Sequence, residues 1–289
     1  MSNASVNIYE QAEKIASSMP SLLAKALKVA NTANYGLHGK KRPGSGEDFW
    51  QFRRYESNDP ASLIDWRRTA ASQHTYIREQ EWQIAQTILI WKDNSASMDY
   101  LSSLVKESKN DRANILILAL SFLLLKGGET IGLIGKNIKA INNKSSLEKM
   151  AKNLLSPKDK NTFPYQTQIK KNSHVIIFSD FLDSLEATEK MIKEIAQGNS
   201  NGHLVQILDP SEQDLPFKGR IVFDNPENEL STMIGKVESI RNIYKKRIKK
   251  HYEGLKSIAS LNGWTLTQHV TDNSPESALI SIYNNINRF

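Results

Sequence analysis

The sequence predicts an α/β chain whose doubly wound, mostly parallel sheet is flanked by helices, preceded by an N-terminal extension of helix and short strands. Two observations carry this expectation. From Thr87 onward, short apolar runs rich in β-branched residues alternate with stretches of helical periodicity. Three of those runs also end in a carboxylate, at Trp91-Lys92-Asp93, Phe178-Ser179-Asp180 and Leu208-Asp209. Strand carboxyl ends are where open α/β sheets carry their ligand sites. The boundary falls at 85/86, with 1–85 read as an extension packed on the core and 86–289 as the main domain.

Taken in order, Ile8–Ala33 reads as helical, because Ile15, Met19, Leu22, Leu23, Leu27 and Val29 recur at helical spacing, with a break at Pro20. Gly36, Gly39, Gly44 and Gly46 punctuate a polar loop. Strand-like aromatic content follows at Phe52–Glu56, a turn at Asp59-Pro60, an ordered stretch from Ile64, and Tyr76–Trp82 leading into the strand Thr87–Trp91. Arg112–Leu125 is a buried helix stopped by Gly127-Gly128. Thr130–Ile134 is a strand, with Ile138–Ile141 as its hairpin edge partner. Beyond a helix at Leu147–Leu155 and a polar loop at 156–171, strands are expected at His174–Phe178, Leu204–Leu208, Arg220–Phe223 and Thr265–Val270. Helices are expected at Leu185–Ala196, Leu230–Leu261 and Pro275–Ile286.

Bulk properties exclude several functions. Of 289 residues, 39% are hydrophobic and 24% charged, an ordinary balance for a globular chain with a sizeable core. There is no cysteine, so disulfides, thiolate zinc sites and a cysteine nucleophile are excluded. That composition fits a reducing compartment, and a cytoplasmic location is expected. Met1–Glu10 lacks the basic start and apolar segment of a signal peptide. The longest apolar run, Ile115–Leu125, is interrupted by Ser121 and falls far short of the ~20 residues a membrane span needs. Net charge is +7 with a pI near 9.3, which raises nucleic acid as a partner. The charge is dispersed, however, and no nucleic-acid role is expected. Its largest cluster, Lys245-Lys246-Arg247 with Lys249-Lys250, lies opposite the apolar face formed by Val237, Ile240, Tyr244, Ile248, Tyr252, Leu255 and Ile258, as a solvated stripe does. Asp65 and Glu79 are expected to pair with Arg53, Arg67 or Arg78, with Trp66 packed beside them.

Specific catalytic signatures are missing. Gly132–Lys139 lacks the Gly-Lys-Ser/Thr ending of a phosphate loop, and no Gly-x-Ser-x-Gly elbow occurs. His38, His74, His174, His203, His251 and His269 show no ligand spacing, and Ser95 has no evident histidine to activate it.

Ile88–Met98 carries the strongest chemical signal. Its apolar run ends at Asp93, and Ser95 and Ser97 follow at alternate positions, so a tight loop can aim three hard oxygens at one point. Such oxygens suit Mg²⁺. Should the strands ending at Asp93 and Asp180 lie side by side, their carboxylates would repel unless a cation sat between them. The Asp-x-Ser-x-Ser pattern suggests a metal-ion-dependent adhesion site of the von Willebrand factor A type.

Longer strings extend the resemblance. They comprise Gly44-x-Gly46-x-x-Phe49, Arg53-x-Tyr55, Asp59, Ile64-Asp65-Trp66-Arg67, Tyr76-x-x-Glu79, Asp93-x-Ser95-x-Ser97-Met98, Phe178-Ser179-Asp180-Phe181, Leu208-Asp209-Pro210-x-Glu212 and Gly263-Trp264. On these the chain resembles the bacterial domain-of-unknown-function fifty-eight family, whose core is similar to von Willebrand factor A domains and, more broadly, Rossmann-like. The resemblance implies Mg²⁺ held by Asp93, Ser95, Ser97 and Asp180, with one position open for a partner's carboxylate. A threonine should complete the set, but the family's Gly-x-Thr-Asp loop is missing between Leu155 and His174, leaving Thr162 or Thr167 to serve. It also implies a non-enzymatic protein-interaction module, accessory to a MoxR-type AAA+ ATPase in assembling or maturing other proteins and engaging a client that offers an acidic residue. The alternative is a Mg²⁺-dependent phosphoester hydrolase using Asp93 and Asp180, for which Lys92 is the only evident phosphate-gripping lysine. A nucleic-acid binder is a more distant option.

Overall fold

A computed structural model describes residues 24–33, 49–56, 59, 61–80, 86–135, 146–155, 169, 173–197, 200–225 and 230–286. Chain contacts divide it into two compact units, Lys40–Ala85 and the remainder. The expected edge strand Ile138–Ile141, Thr162 and Thr167 lie outside the described residues.

The small unit is built on an antiparallel pair, β1 (Phe49–Arg54) and β2 (Tyr76–Gln80), with an irregularity between Phe49 and Gln51. Between them Asp65 caps the short helix α2 (Trp66–Ala70) by accepting from the Arg68 N–H at 3.0 Å. Arg68 lies over the Tyr76 ring. Trp66, expected to pack, is 67% exposed. Asp65 therefore acts as a helix cap here, and the side chains of Arg53, Arg78 and Glu79 lie outside the described residues.

The main unit is a five-stranded sheet of β3 (Thr87–Lys92), β4 (Thr130–Leu133), β5 (His174–Ser179), β6 (Asn201–Leu208) and β9 (Thr265–Val270). All four pairings in it are parallel, in the order β4-β3-β5-β6-β9. The order reverses between β3 and β5, which makes the crevice at their carboxyl ends the topological switch point. This doubly wound α/β arrangement is the expected one. Strands buried on both faces read as near-continuous apolar runs, and all six residues of β5 are buried, the apolar Val-Ile-Ile-Phe between His174 and Ser179.

Alternate strand residues feed two cores. Ile88, Ile90, Ile176, Phe178, Val205 and Ile207 face α3 (Lys109–Lys126), α4 (Ser146–Leu155) and α8 (Pro275–Ile286). Leu89, Trp91, Val175, Ile177 and Leu204 face α5 (Leu185–Ala196) and α7 (Val237–Leu261). The helical residues 24–33, α1, contribute Ala26, Val29, Ala30 and Ala33 to the first core. This part of the N-terminal segment thus belongs to the main unit, while 40–85 clusters by itself.

Helix α3 starts three residues before the expected Arg112, because Ser108 caps it by accepting from the Asp111 N–H at 3.1 Å. Two further departures follow Asp209. The dipeptide Asp209-Pro210 opens a short helix, α6 (Pro210–Asp214), through a capping box in which the Asp209 side chain accepts from the Ser211 N–H and Glu212 reaches back to the Asp209 N–H. The stretch read as helix from Leu230 begins instead as β8 (Ser231–Ile234), antiparallel to β7 (Ile221–Asp224), before α7 starts at Val237. Along α7, Val237, Leu255 and Ala259 are buried and Ile240, Tyr244, Ile248, Tyr252 and Ile258 half-buried, while the lysine stripe faces solvent. Among the described residues no helix is long and apolar enough to cross a membrane.

Candidate functional site at the strand tips

β3 and β5 run side by side, with Lys92 opposite Phe178, and the Asp93 N–H donates to the Phe178 carbonyl at 2.8 Å. This sets Asp93 beside Ser179, one residue before Asp180, at the switch point. After Asp93 the chain passes Ser95 and enters a 3-10 turn, Ala96–Asp99, anchored by the fully buried Met98. Both serines are thereby turned toward the neighbouring strand end.

The cluster is one continuous hydrogen-bonded network. Asp93 Oδ1 accepts from the Ser95 N–H at 2.8 Å, and its Oδ2 from the Ser179 hydroxyl at 2.6 Å. The hydroxyls of Ser95 and Ser97 lie 3.1 Å apart, and Ser97 donates to Asp180 Oδ2 at 2.7 Å. Asp180 Oδ1 accepts from the Leu182 N–H, and the Asp180 carbonyl from Gln206 Nε2. The turn that follows is strained, with Phe181 at φ +49°, and is pinned by His251 Nε2, which donates to the Phe181 carbonyl. Each carboxylate oxygen of Asp93 and Asp180 therefore has a donor.

Lys109 completes the cluster from the first turn of α3. Its side chain is wholly buried, and its ammonium donates to Asp180 Oδ2 at 2.8 Å and to Glu212 Oε1 of α6. The Tyr100 ring lies 5.9 Å away. Burial pushes the Lys109 ammonium down, but the charges of Asp180 and Glu212 outweigh it and hold the group above the ordinary lysine range. Asp93 is pushed up from its usual range by burial, against the hydrogen bonds from Ser179 and Ser95. At the β6 tip, burial is outweighed by the hydrogen bonds from Ser211 and Ser102, which hold Asp209 below its usual range.

The loop after the 3-10 turn lies along the β6 tip, through Ser102 N–H to Asp209 Oδ2 at 3.1 Å and Tyr100 Oη against Ser211 Oγ at 3.0 Å. It presents Leu101 and Leu104, 49% and 55% exposed, with Leu182 exposed on the adjoining turn. Lys92, the expected phosphate grip, is instead buried against Asn110 and Asn114 of α3 at 2.6 and 2.9 Å.

Asp93, Ser95, Ser97 and Asp180 are thus brought together, and Thr162 lies outside the described residues. The donor set, however, does not fit Mg²⁺. Magnesium requires oxygens at about 2.0–2.1 Å in octahedral array, whereas Asp180 Oδ2 is engaged by an ammonium at a charge-assisted hydrogen-bond distance of 2.8 Å. A dication approaching Asp180 would meet that positive charge. Lys109 is the residue that sequence reasoning missed, while Ser179 and Glu212 stand in the quoted strings with no role in the site assigned to them. Ser108-x-x-Asp111 was the available signal, since a cap at Ser108 places Lys109 inside the helix.

No curated protein matches the chain. Among solved structures, an aerotolerance-related membrane protein from Bacteroides fragilis is similar at 14% identity and a TM-score of 0.44, covering 71% of this chain and 100% of that one. The conserved hypothetical protein BatB from Bacteroides thetaiotaomicron is similar at 14% identity and a TM-score of 0.42, with the same coverage. A family model described as protein of unknown function DUF58 matches residues 51–254, and the chain belongs to that family.

Proposed function

We propose that the chain is a non-enzymatic protein-interaction module that docks its partner at the strand tips of the parallel sheet. The observation supporting this most strongly is the pairing of a saturated polar cluster with an exposed apolar rim. The serine hydroxyls are committed to Asp180 and to each other, so neither is poised as a nucleophile. Around them Leu101, Leu104 and Leu182 offer apolar surface on short, well-anchored loops.

The partner we propose is a MoxR-type AAA+ ATPase, which the chain would serve as an accessory in assembling or maturing other proteins. The resemblance carried by the strings from Gly44 to Glu212 supports that choice, and an ATP-driven partner places the pair in the cytoplasm. Crosslinking the full chain to the purified ATPase, with wild type beside Leu101→Asp/Leu104→Asp, tests it. A one-to-one product with wild type that is lost in the variant is expected. Equal crosslinking of both, or none with wild type, contradicts the reading.

A further inference from the structure

We propose that the Lys109 ammonium is the resident cation of the strand-tip site, standing where a divalent ion would otherwise be needed, so that the site is closed, metal-independent and turned inward.

The cluster needs positive charge. Asp93, Asp180, Asp209 and Glu212 gather at three neighbouring strand tips, and Asp93, Asp180 and Asp209 are buried. Carboxylates so placed repel one another and lose hydration, and a cation relieves both. Lys109 meets that need from inside the fold. Its ammonium bridges Asp180 and Glu212, so it binds the β5 tip to α6 as a shared ion would. Ser97 donates to the same Asp180 oxygen, and the chain continues through Ser95 to Asp93.

Helix α3 fixes the ammonium in place. Ser108 caps the helix, Lys109 follows in its first turn, and one turn later Arg112 is held by the carbonyls of Thr271 and Asn273 at 2.9 Å each. The lysine cannot swing away without drawing that turn out of the core.

A consequence concerns recognition. The resemblance implies a divalent ion with one position open to a partner's carboxylate. A wholly buried ammonium leaves none. The expected acidic side chain on a client therefore has no metal to complete, and contact falls to the surrounding surface. The inference stands whichever partner docks.

Titrating Mn²⁺ into the full chain, with bound ion read by electron paramagnetic resonance, tests the proposal. Wild type is expected to show no saturable site into the millimolar range. Lys109→Ala, which frees Asp180 and Glu212, is expected to gain one ion per chain and to lose it again when Asp180→Asn is added. A single saturable site in wild type that disappears in Ser95→Ala/Ser97→Ala would overturn the proposal, as would a folded Lys109→Ala variant that ignores Mn²⁺. A readout on wild type alone removes dependence on the variant's folding. Under reductive methylation of the native protein Lys109 should stay unmodified while the α7 lysines react, and its rapid modification would overturn the proposal equally.

Discussion

Lys109 Nζ lies 2.8 Å from Asp180 Oδ2, joining the first turn of α3 to the tip of β5 in a pair that is almost entirely shielded from water. Burying two charges is costly, and breaking such a pair from one side leaves the other charge stranded. Lys109→Ala is therefore expected to lower unfolding free energy by about 3–5 kcal/mol, read from urea denaturation. Lys109→Met combined with Asp180→Asn should cost clearly less than the sum of the two single changes, because the pair is coupled. Additive losses would show that the two side chains do not share their charge.

Ser97 links the halves of the cluster, so its hydroxyl matters for stability. Ser97→Ala deprives buried Asp180 of one of its donors, and a loss of about 1–2 kcal/mol is expected in the same denaturation. Ser97→Thr keeps a hydroxyl and should recover part of it. An unchanged midpoint for Ser97→Ala would mean that the network does not bear on folding.

At the opposite end of the sheet, Gly202 of β6 lies beneath the Trp264 indole, and a Cβ there would fall 2.2 Å from ring atoms. The ring is rigid and 2% exposed, with no room to retreat. Gly202→Ala should cost about 2–3 kcal/mol by overpacking and change the near-ultraviolet circular dichroism of the tryptophans. A variant as stable as wild type would contradict this packing.

Two buried histidines contribute to the acid side of the stability profile. Burial lowers His203 to about 3, reinforced by His174, and lowers His269 to about 3, reinforced by the Arg112 charge. Above the unfolded value of roughly 6.5 both states are neutral, and neither histidine adds a pH dependence. As pH falls below it, the unfolded chain takes up protons that the folded chain refuses, so stability is lost continuously down to about pH 3. By about pH 5 each histidine should have removed roughly 2 kcal/mol. His269→Gln should flatten the decline between about pH 6.5 and 5, and an unaltered slope would show that His269 is not held neutral.

Much of this architecture was legible in residue patterns. Val175–Phe178 is a short, β-branched apolar run of strand length, as a strand buried on both faces should be, and Leu185–Ala196 and Thr265–Val270 fall where periodicity puts them. The meeting of Asp93 with Asp180 was also readable, since each closes an apolar run. Short-range capping was harder. Ser108 starts its helix by a side-chain cap and Asp209 by a two-bond capping box with Glu212, local contacts that periodicity over many residues cannot register. The expected start at Arg112 therefore stops short of Lys109. The β7–β8 hairpin was hidden for another reason: β8 is exposed along most of its length and has no alternation to betray it. Nor does spacing reveal that a cation comes from 16 residues beyond Asp93, because that proximity is created by the tertiary packing of α3 against the tip of β5.

The Lys109 ammonium can be observed directly. In the full chain labelled with ¹⁵N-lysine, its Nζ–H protons should give a slowly exchanging resonance at low temperature, absent from Lys109→Arg and unmoved by saturating Mg²⁺. Failure to detect any protected ammonium, or a protected signal that shifts or vanishes as Mg²⁺ is added, would contradict the assignment of this lysine as the cation of the strand tips.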